Sequence, residues 1–154
     1  MKLLDILAPS IVKIGLESTD KEEVFEELID LLVRDGRLTD RERALDAIYA
    51  REEKRSTGIG RGVAIPHGKD DSIREITAAA GTSAKGIEFE AVDDQPVHLV
   101  FLVLAEPNNP GPHLQTLSEI ATCLNEPTMY DKLIHAKTPQ EFLSCLELAD
   151  QEAL

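Results

Sequence analysis

The chain reads as a single α/β domain with helices on both faces of a mixed sheet, and three observations lead there. Segments with helical spacing alternate with strand-like runs along the whole length. One of those runs, Val97 to Ala105 (VHLVFLVLA), is apolar almost without interruption, the pattern of a strand buried on both faces. The chain has 154 residues, 42% of them hydrophobic, and no repeat, low-complexity stretch or linker. A chain of that size buries about 70% of its unfolded surface in one core and needs no staple.

Taken in order, Ile11 to Leu16 alternates loosely and predicts a short strand. Thr19 with Glu22 forms a capping box that opens a helix carrying Val24, Phe25, Leu28, Leu31 and Leu32 on one face, and Asp35-Gly36 stops it. A second capping box, Thr39 with Glu42, opens a helix with Ala44, Leu45 and Ile48 on one face and Arg51 in its last turn. A glycine-rich loop follows. Ile76 to Ser83 (ITAAAGTS) has the small residues of a strand with close neighbours, and Lys85 to Pro96 is a charged, turn-rich connection with at most one short strand at Ile87 and Phe89. Glu106 to Pro112 (EPNNPGP) is a cluster of breakers. Beyond it Leu114, Leu117, Ile120, Ala121 and Leu124 recur at helical spacing, with Pro112 at a permitted first-turn position, so His113 belongs to a helix N-terminus. Pro127 to Ala136 and Pro139 to about Leu148 give two last helices, the second with Thr138 as N-cap. Residues 1–148 then form the domain and 149–154 a frayed tail.

Twenty-nine acidic residues against 16 basic ones give a formal net charge of −13, which argues against nucleic acid or an anionic membrane as partner and suits a basic protein steered by field. The two cysteines, Cys123 and Cys145, lie in apolar, helix-like stretches with no CxxC or Cys/His metal spacing, and are expected to be buried core thiols in a reducing compartment. The first residues, MKLLDILAPS, carry one lysine and too short an apolar run for a secretory signal, and no run reaches ~18 apolar residues. A soluble, cytoplasmic protein without membrane insertion is expected.

Against this acidic background the segment Arg51 to Lys69, REEKRSTGIGRGVAIPHGK, is a cationic island. Arg51, Lys54, Arg55, Arg61 and Lys69 outnumber Glu52 and Glu53, for a formal charge of +3. Gly58, Gly60, Gly62 and Gly68 let a bulky anion approach the main chain, and Pro66 stiffens the residue before His67. Neutral imidazole is available near pH 7, can accept a phosphoryl group and forms a phosphoramidate that stays reactive. Such transfer is mainly positioning and electrostatics. Arg51, Ser56, Thr57 and the amides of the glycine loop, Gly58 and Gly68 among them, are the candidates to hold the phosphoryl oxygens. His113 would add exposed helix-start amides and a ring able to hydrogen-bond them.

STGIGRGVAIPHGK, followed at His113 by PGPHLQTLSEIA, 46 residues on (from 67 to 113), closely resembles the enzyme IIA domains of the bacterial phosphotransferase system, in the fructose/mannitol type that includes the nitrogen-regulatory branch. The resemblance covers nearly the whole chain, DDQPVHLVFLVLAEP included. It implies a three-layer α/β/α sandwich around a mixed sheet, phosphorylation of His67 through the ring nitrogen farther from the backbone, and no cofactor. It also implies HPr or a paralogue as donor, and a cysteine of enzyme IIB as acceptor in the transport branch. His113 matches the family's second active-site histidine and Arg51 its arginine sixteen residues before the first. Two departures stand out: His98 where an aspartate is expected within QPV-x-L, and a proline-rich PNNPGP before His113.

Plainer roles exist for each of these residues. His67 can be a turn histidine and His113 an ordinary first-turn residue; His98 and His135 read as exposed and structural. Ser56 and Thr57 can bond their own backbone, and Arg55 and Arg61 are either solvated or partner-facing. Paired acids such as Glu22 with Glu23 or Asp70 with Asp71 suit solvation better than acid/base catalysis. Three functions compete: a phosphoryl carrier, a regulatory module switched by phosphorylation with no sugar transported, and a metal hydrolase using His67 and His113. The last lacks a carboxylate or third histidine at recognisable spacing.

Overall fold

The structure, a computed structural model, describes residues 3–152. A short helix α1 (Leu3–Ile6) and a 3-10 turn (Pro9–Ile11) lead into β1 (Val12–Ile14), α2 (Lys21–Arg34) and α3 (Arg41–Glu52). Three very short strands follow, β2 (Gly58–Gly60), β3 (Val63–Ala64) and β4 (His67–Lys69). Then come β5 (Thr77–Ile87), β6 (Val97–Ala105), α4 (Pro110–Leu124), α5 (Met129–Ile134) and α6 (Pro139–Glu152). The segment expected to be a glycine loop is thus folded into one edge of the sheet.

The sheet runs β1-β5-β6-β3-β2, with β4 also paired to β6. β1 lies parallel to β5, β5 antiparallel to β6, and β3 and β4 both parallel to β6, so the sheet is mixed. Helices α2 and α3 pack on each other and on β5 and β4, while α1, α4, α5 and α6 form a second group against β1, β5 and β6. This is the expected sandwich of three layers. β6 has the bounds read from its apolar run and is buried along its length apart from half-buried His98. The small residues of β5 serve close approach as expected: Ala78, Ala79 and Ala80 are fully buried, and a Cβ on Gly81 would sit 2.8 Å from the Leu16 side chain.

Both helix starts lie one residue later than the threonine capping boxes suggest. Asp20 caps α2, accepting from the Glu23 N–H at 2.9 Å, while the Glu23 carboxylate reaches back to the Thr19 N–H at 3.1 Å. Asp40 caps α3 through the Arg43 N–H at 3.1 Å. Aspartate is at least as good an N-cap as threonine, and in each case it stands directly after one. At the far end of α2, Gly36 takes φ +75 and closes the helix as read.

β5 continues to Ile87, past the expected end at Ser83, by way of a bulge. The register passes from Thr82 opposite Leu99 to Ile87 opposite Val97. The Ser83 hydroxyl accepts from the Gly86 N–H at 3.0 Å, and His98 Nδ1–H donates to the Ser83 carbonyl at 2.8 Å. His98 is therefore a half-buried stitch across the bulge instead of an exposed strand-end residue. α6 has the expected Thr138 cap (Glu141 N–H to Oγ1, 3.0 Å) and extends past Leu148 to Glu152; residues 153 and 154 of the expected tail lie outside the described residues. Cys123 and Cys145 are free and only partly buried, packed against the core from α4 and α6. Their helices are amphipathic surface helices, so neither thiol reaches the interior. Burial still raises both thiol pKa values, that of Cys123 to about 11, assisted by the nearby Cys145 and Glu126.

Gly68 fixes how closely α3 lies on the sheet. A Cβ there would stand 2.8 Å from the Ala47 carbonyl carbon and oxygen, backbone atoms that cannot swing aside. Gly68→Ala is expected to lower stability by about 1–3 kcal/mol through this overpacking, read as a lower denaturant midpoint with an unchanged m-value.

Candidate functional site

The site begins with an interruption of the strand that runs beside β6. β3 and β4 keep one register on β6, with Val63 opposite Leu99 and His67 opposite Val103, and between them Ile65 and Pro66 leave the ladder without adding or removing a residue. Proline has no N–H to donate, so a strand must give way there. The Pro66 carbonyl still accepts from the Val103 N–H at 2.9 Å, which holds the break in place. Immediately after it the half-buried His67 ring turns back, and its Nδ1 lies 2.8 Å from the Ile65 carbonyl. A carbonyl only accepts, so Nδ1 carries the proton and the lone pair sits on Nε2. Burial lowers the pKa of His67; the Ile65 bond and Glu52 oppose this, and Arg51 and Lys69 add to it. The ring is neutral at pH 7 with its lone pair on Nε2.

The last turn of α3 and the β2–β3 hairpin form the wall beside it. Arg51 Nη1–H donates to the Arg55 carbonyl at 2.9 Å, which curls residues 52–55 under its guanidinium. Its neighbour Glu52, which sequence reasoning counted only as charge, is 8% exposed. Glu52 accepts from the Thr57 N–H at 2.7 Å and the Thr57 hydroxyl at 2.6 Å. Ser56 Oγ–H donates to the Phe89 carbonyl (3.4 Å), and the same oxygen accepts from the Gly58 N–H (3.1 Å). Both hydroxyl protons, and the Gly58 amide, are engaged within the protein. Gly58 and Gly68 have close packing reasons of their own, since a Cβ on Gly58 would meet Ala91 Cβ at 2.8 Å. Between Arg51 and Lys69 the positive φ angles belong to the hairpin tip, Gly60, Arg61 and Gly62, where the Asp93 carboxylate accepts from the Arg61 N–H at 2.9 Å.

His113 approaches from the other side of the sheet's edge. α4 starts at Pro110, two residues ahead of the expected Pro112, so two of its first three residues are prolines and only Gly111 among them has an amide. The helix start therefore offers fewer free N–H groups than its position suggested. What α4 brings is the imidazole itself: 3% exposed, edge-on to the His67 ring at a centroid separation of 5.5 Å and an interplanar angle of 74°. Its Nε2 is buried without a hydrogen-bond partner among the described residues. Burial first, then the neighbouring His67 and Lys69, push its pKa down to about 4.

These groups open onto a cleft of about 340 Å³ lined by Arg51, Arg55, Ser56, Thr57, Ile59 and His67, with Ile65, Val92 and Leu117 completing the wall. Two of its lining residues are exposed and apolar, Ile59 (53%) and Val92 (56%), and Leu114, directly after His113 in the chain, is 64% exposed. Val92 comes from the turn-rich connection that sequence reading passed over, and Asp93 and Asp94 follow it directly. The tertiary structure thus gathers His67, His113, Arg51, Ser56 and Thr57, with Arg55 at the cleft and Arg61 on the hairpin tip. His98 and His135 remain outside; the exposed His135 donates Nδ1–H to its own helix, at Asp131 O, 2.7 Å. Among the described residues no group of three or more His, Cys, Asp or Glu is arranged to hold a metal ion, and no helix is long and apolar enough to cross a membrane.

Residues 5–148 match the family described as phosphoenolpyruvate-dependent sugar phosphotransferase system, EIIA 2, and the chain belongs to that family. It is 42% identical to a fructose-specific EIIA component from Haloferax volcanii, over 78% of each chain. It is also 35% identical to a fructose-specific EIIABC component from Bacillus subtilis over 98% of its own length, spanning 24% of that relative. The fold matches the crystal structure of nitrogen regulatory protein IIA-Ntr from Neisseria meningitidis with a TM-score of 0.86 and 31% identity, covering 94% of this chain and 98% of the other.

The depressed pKa of His113 has a consequence for stability. The unfolded chain takes up this proton near the ordinary 6.5 and the folded one only near 4, so the neutral ring's contribution is complete above pH 6.5 and is lost as pH falls from there towards about 4. His113→Gln is expected to flatten the fall in melting temperature across that window; identical slopes in variant and wild type would remove the assignment.

Proposed function

We propose that this protein is a phosphoryl carrier whose His67 Nε2 accepts the group from the phosphohistidine of HPr or a paralogue and passes it to a cysteine of enzyme IIB. The observation that supports the reading is the bond from His67 Nδ1–H to the Ile65 carbonyl, since it leaves the lone pair on the nitrogen farther from the backbone. That lone pair attacks the donor's phosphorus, and the donor's N–P bond breaks with its electron pair returning to the donor ring. In the second step an acceptor thiolate attacks, and the pair of the breaking bond returns to Nε2. While the group resides on His67, Nδ1–H keeps its carbonyl partner, so the ring remains a good leaving group.

Arg51 and His113 are the residues assigned to the phosphoryl oxygens in this reading. Arg51 supplies a fixed cation at the cleft. His113, neutral in the resting state, has an unpartnered Nε2 beside the acceptor ring and gains basicity when a dianion arrives. Ser56, Thr57, Gly58 and Gly68 shape the wall and space the backbone. The exposed Ile59, Val92 and Leu114 form the rim that a partner covers, with the surrounding negative charge attracting a basic one. No metal or nucleotide takes part, and the site of action is the cytoplasm.

A regulatory role, in which the same phosphorylation switches docking to a target and no sugar is moved, is favoured by one specific observation, the likeness to IIA-Ntr over nearly the whole chain. The chemistry at His67 is common to both branches.

Intact mass after incubation with phosphoenolpyruvate, enzyme I and HPr is expected to show one acid-labile phosphoryl group on wild type and none on His67→Ala. No gain in wild type would leave a binding module that works without phosphorylation. Arg51→Ala is expected to slow acceptance by the equivalent of about 2–4 kcal/mol, as for removal of other preorganised charge-stabilising groups, and equal rates would remove that role. Raising salt should slow transfer from a basic carrier; a rate indifferent to ionic strength would count against electrostatic steering.

A further inference from the structure

The Glu52 carboxylate is the far end of a hydrogen-bonded relay that reaches the His67 ring. Glu52 accepts from the Thr57 N–H at 2.7 Å and hydroxyl at 2.6 Å. The Thr57 carbonyl accepts from the Ile65 N–H at 2.9 Å, and the Ile65 carbonyl accepts from His67 Nδ1–H at 2.8 Å. Each link holds the next in position, and because the path crosses the Cα atoms of Thr57 and Ile65, the charge itself acts on the His67 ring through space and not along the bonds. The carboxylate is nine-tenths buried, and its bonds here run to Thr57 rather than to a cation. A buried charge held by neutral donors is costly relative to solvation in water, and this one lies close enough to the His67 ring to raise its pKa.

We propose that Glu52 is a positioning residue of the phosphoryl site, its carboxylate clamping Thr57 to the last turn of α3 and, through Thr57 and Ile65, fixing the tautomer of His67 and keeping the transferred group labile. The inference rests on the phosphoryl-carrier reading. A phosphorylated ring is more negative overall than a free one, so a fixed anion nearby disfavours the loaded state and helps the group leave. The same charge favours the protonated ring in the unloaded state, opposing burial, Arg51 and Lys69, while neutral His113 on α4 contributes no charge of its own.

Glu52→Gln separates charge from clamp. A glutamine carbonyl can take the Thr57 N–H and its amide can donate to the Thr57 hydroxyl, so the clamp survives while the charge is gone. NMR titration of the His67 imidazole, in unphosphorylated protein, is expected to show a lower pKa in Glu52→Gln than in wild type. The phosphorylated share at equilibrium with phospho-HPr should rise about three- to tenfold, the scale of one fixed charge acting on a multiply charged group under near-aqueous screening. Thr57→Val, which removes the hydroxyl bond and keeps the charge, should lower the melting temperature and leave the His67 pKa and the equilibrium share as in wild type. Unchanged pKa and share in Glu52→Gln, or the same shift in Thr57→Val, would overturn the proposal. If Glu52→Gln does not give a folded spectrum, the Glu52→Gln/Thr57→Val double variant, which leaves no hydroxyl to satisfy, takes its place with the same expected outcomes. Failure of wild type to accept phosphate would sink the carrier reading alone, since the imidazole titration needs no phosphoryl donor.

Discussion

A strand running unbroken beside β6 from Val63 to Lys69 would commit its backbone to the sheet and leave His67 as one more ring on a flat surface. Pro66 prevents this, because it brings no N–H to the ladder and stiffens the chain where it must step out. The step frees the Ile65 carbonyl to receive His67 Nδ1–H. Since β3 and β4 keep a common register on β6, the break is local, and the ring emerges from a rigid frame. One missing backbone donor therefore fixes the position, tautomer and free nitrogen of the candidate nucleophile.

The remaining features of the site hold this frame from two sides. From the α3 side, Gly68 brings the helix against the sheet, and Arg51 and Glu52 in its last turn tie the chain that follows through Arg55 and Thr57. From the α4 side, His113 presents a buried ring edge-on to His67, kept neutral by desolvation. A neutral pair of imidazoles near a cation and an apolar rim suits the proposed role, in which the group accepts a dianion and releases it again. On that proposal, stronger cationic binding would hold the phosphoryl group too firmly for onward transfer; at the His67 ring the buried Glu52 works in the opposite sense to Arg51.

Much of the fold was legible because its signals are local. The apolar run of β6, the small residues of β5, the helical face of α2 and the stop at Gly36 all stand where their residue types indicate, whereas α4 buries His113, Thr116 and Ile120 and leaves the expected Leu114 and Ala121 exposed. The helix starts slipped by one residue because aspartates follow both threonines, a competition between equal caps that spacing cannot resolve. The continuation of β5 through a bulge, and the role of His98 in stitching it, depended on a partner carbonyl fifteen positions away. The partial exposure of Cys123 and Cys145 depended on which faces of α4 and α6 meet the core.

The sequence by itself determined the chemistry on offer: a histidine after a proline in a glycine-spaced, cationic segment, a second histidine at a helix start, an arginine at a helix end, and the family to which this pattern belongs. These are properties of residue type and short spacing, and they survive without coordinates. Only the tertiary structure decided which groups are free to act. It turned Thr57 inward to a buried Glu52, satisfied the Ser56 hydroxyl and Gly58 amide within the wall, stripped the α4 start of amides through its prolines, and left the His113 Nε2 unpartnered. Whether a donor is available depends on what lies within 3 Å of it and on how much water reaches it, and both are set by segments remote in the chain.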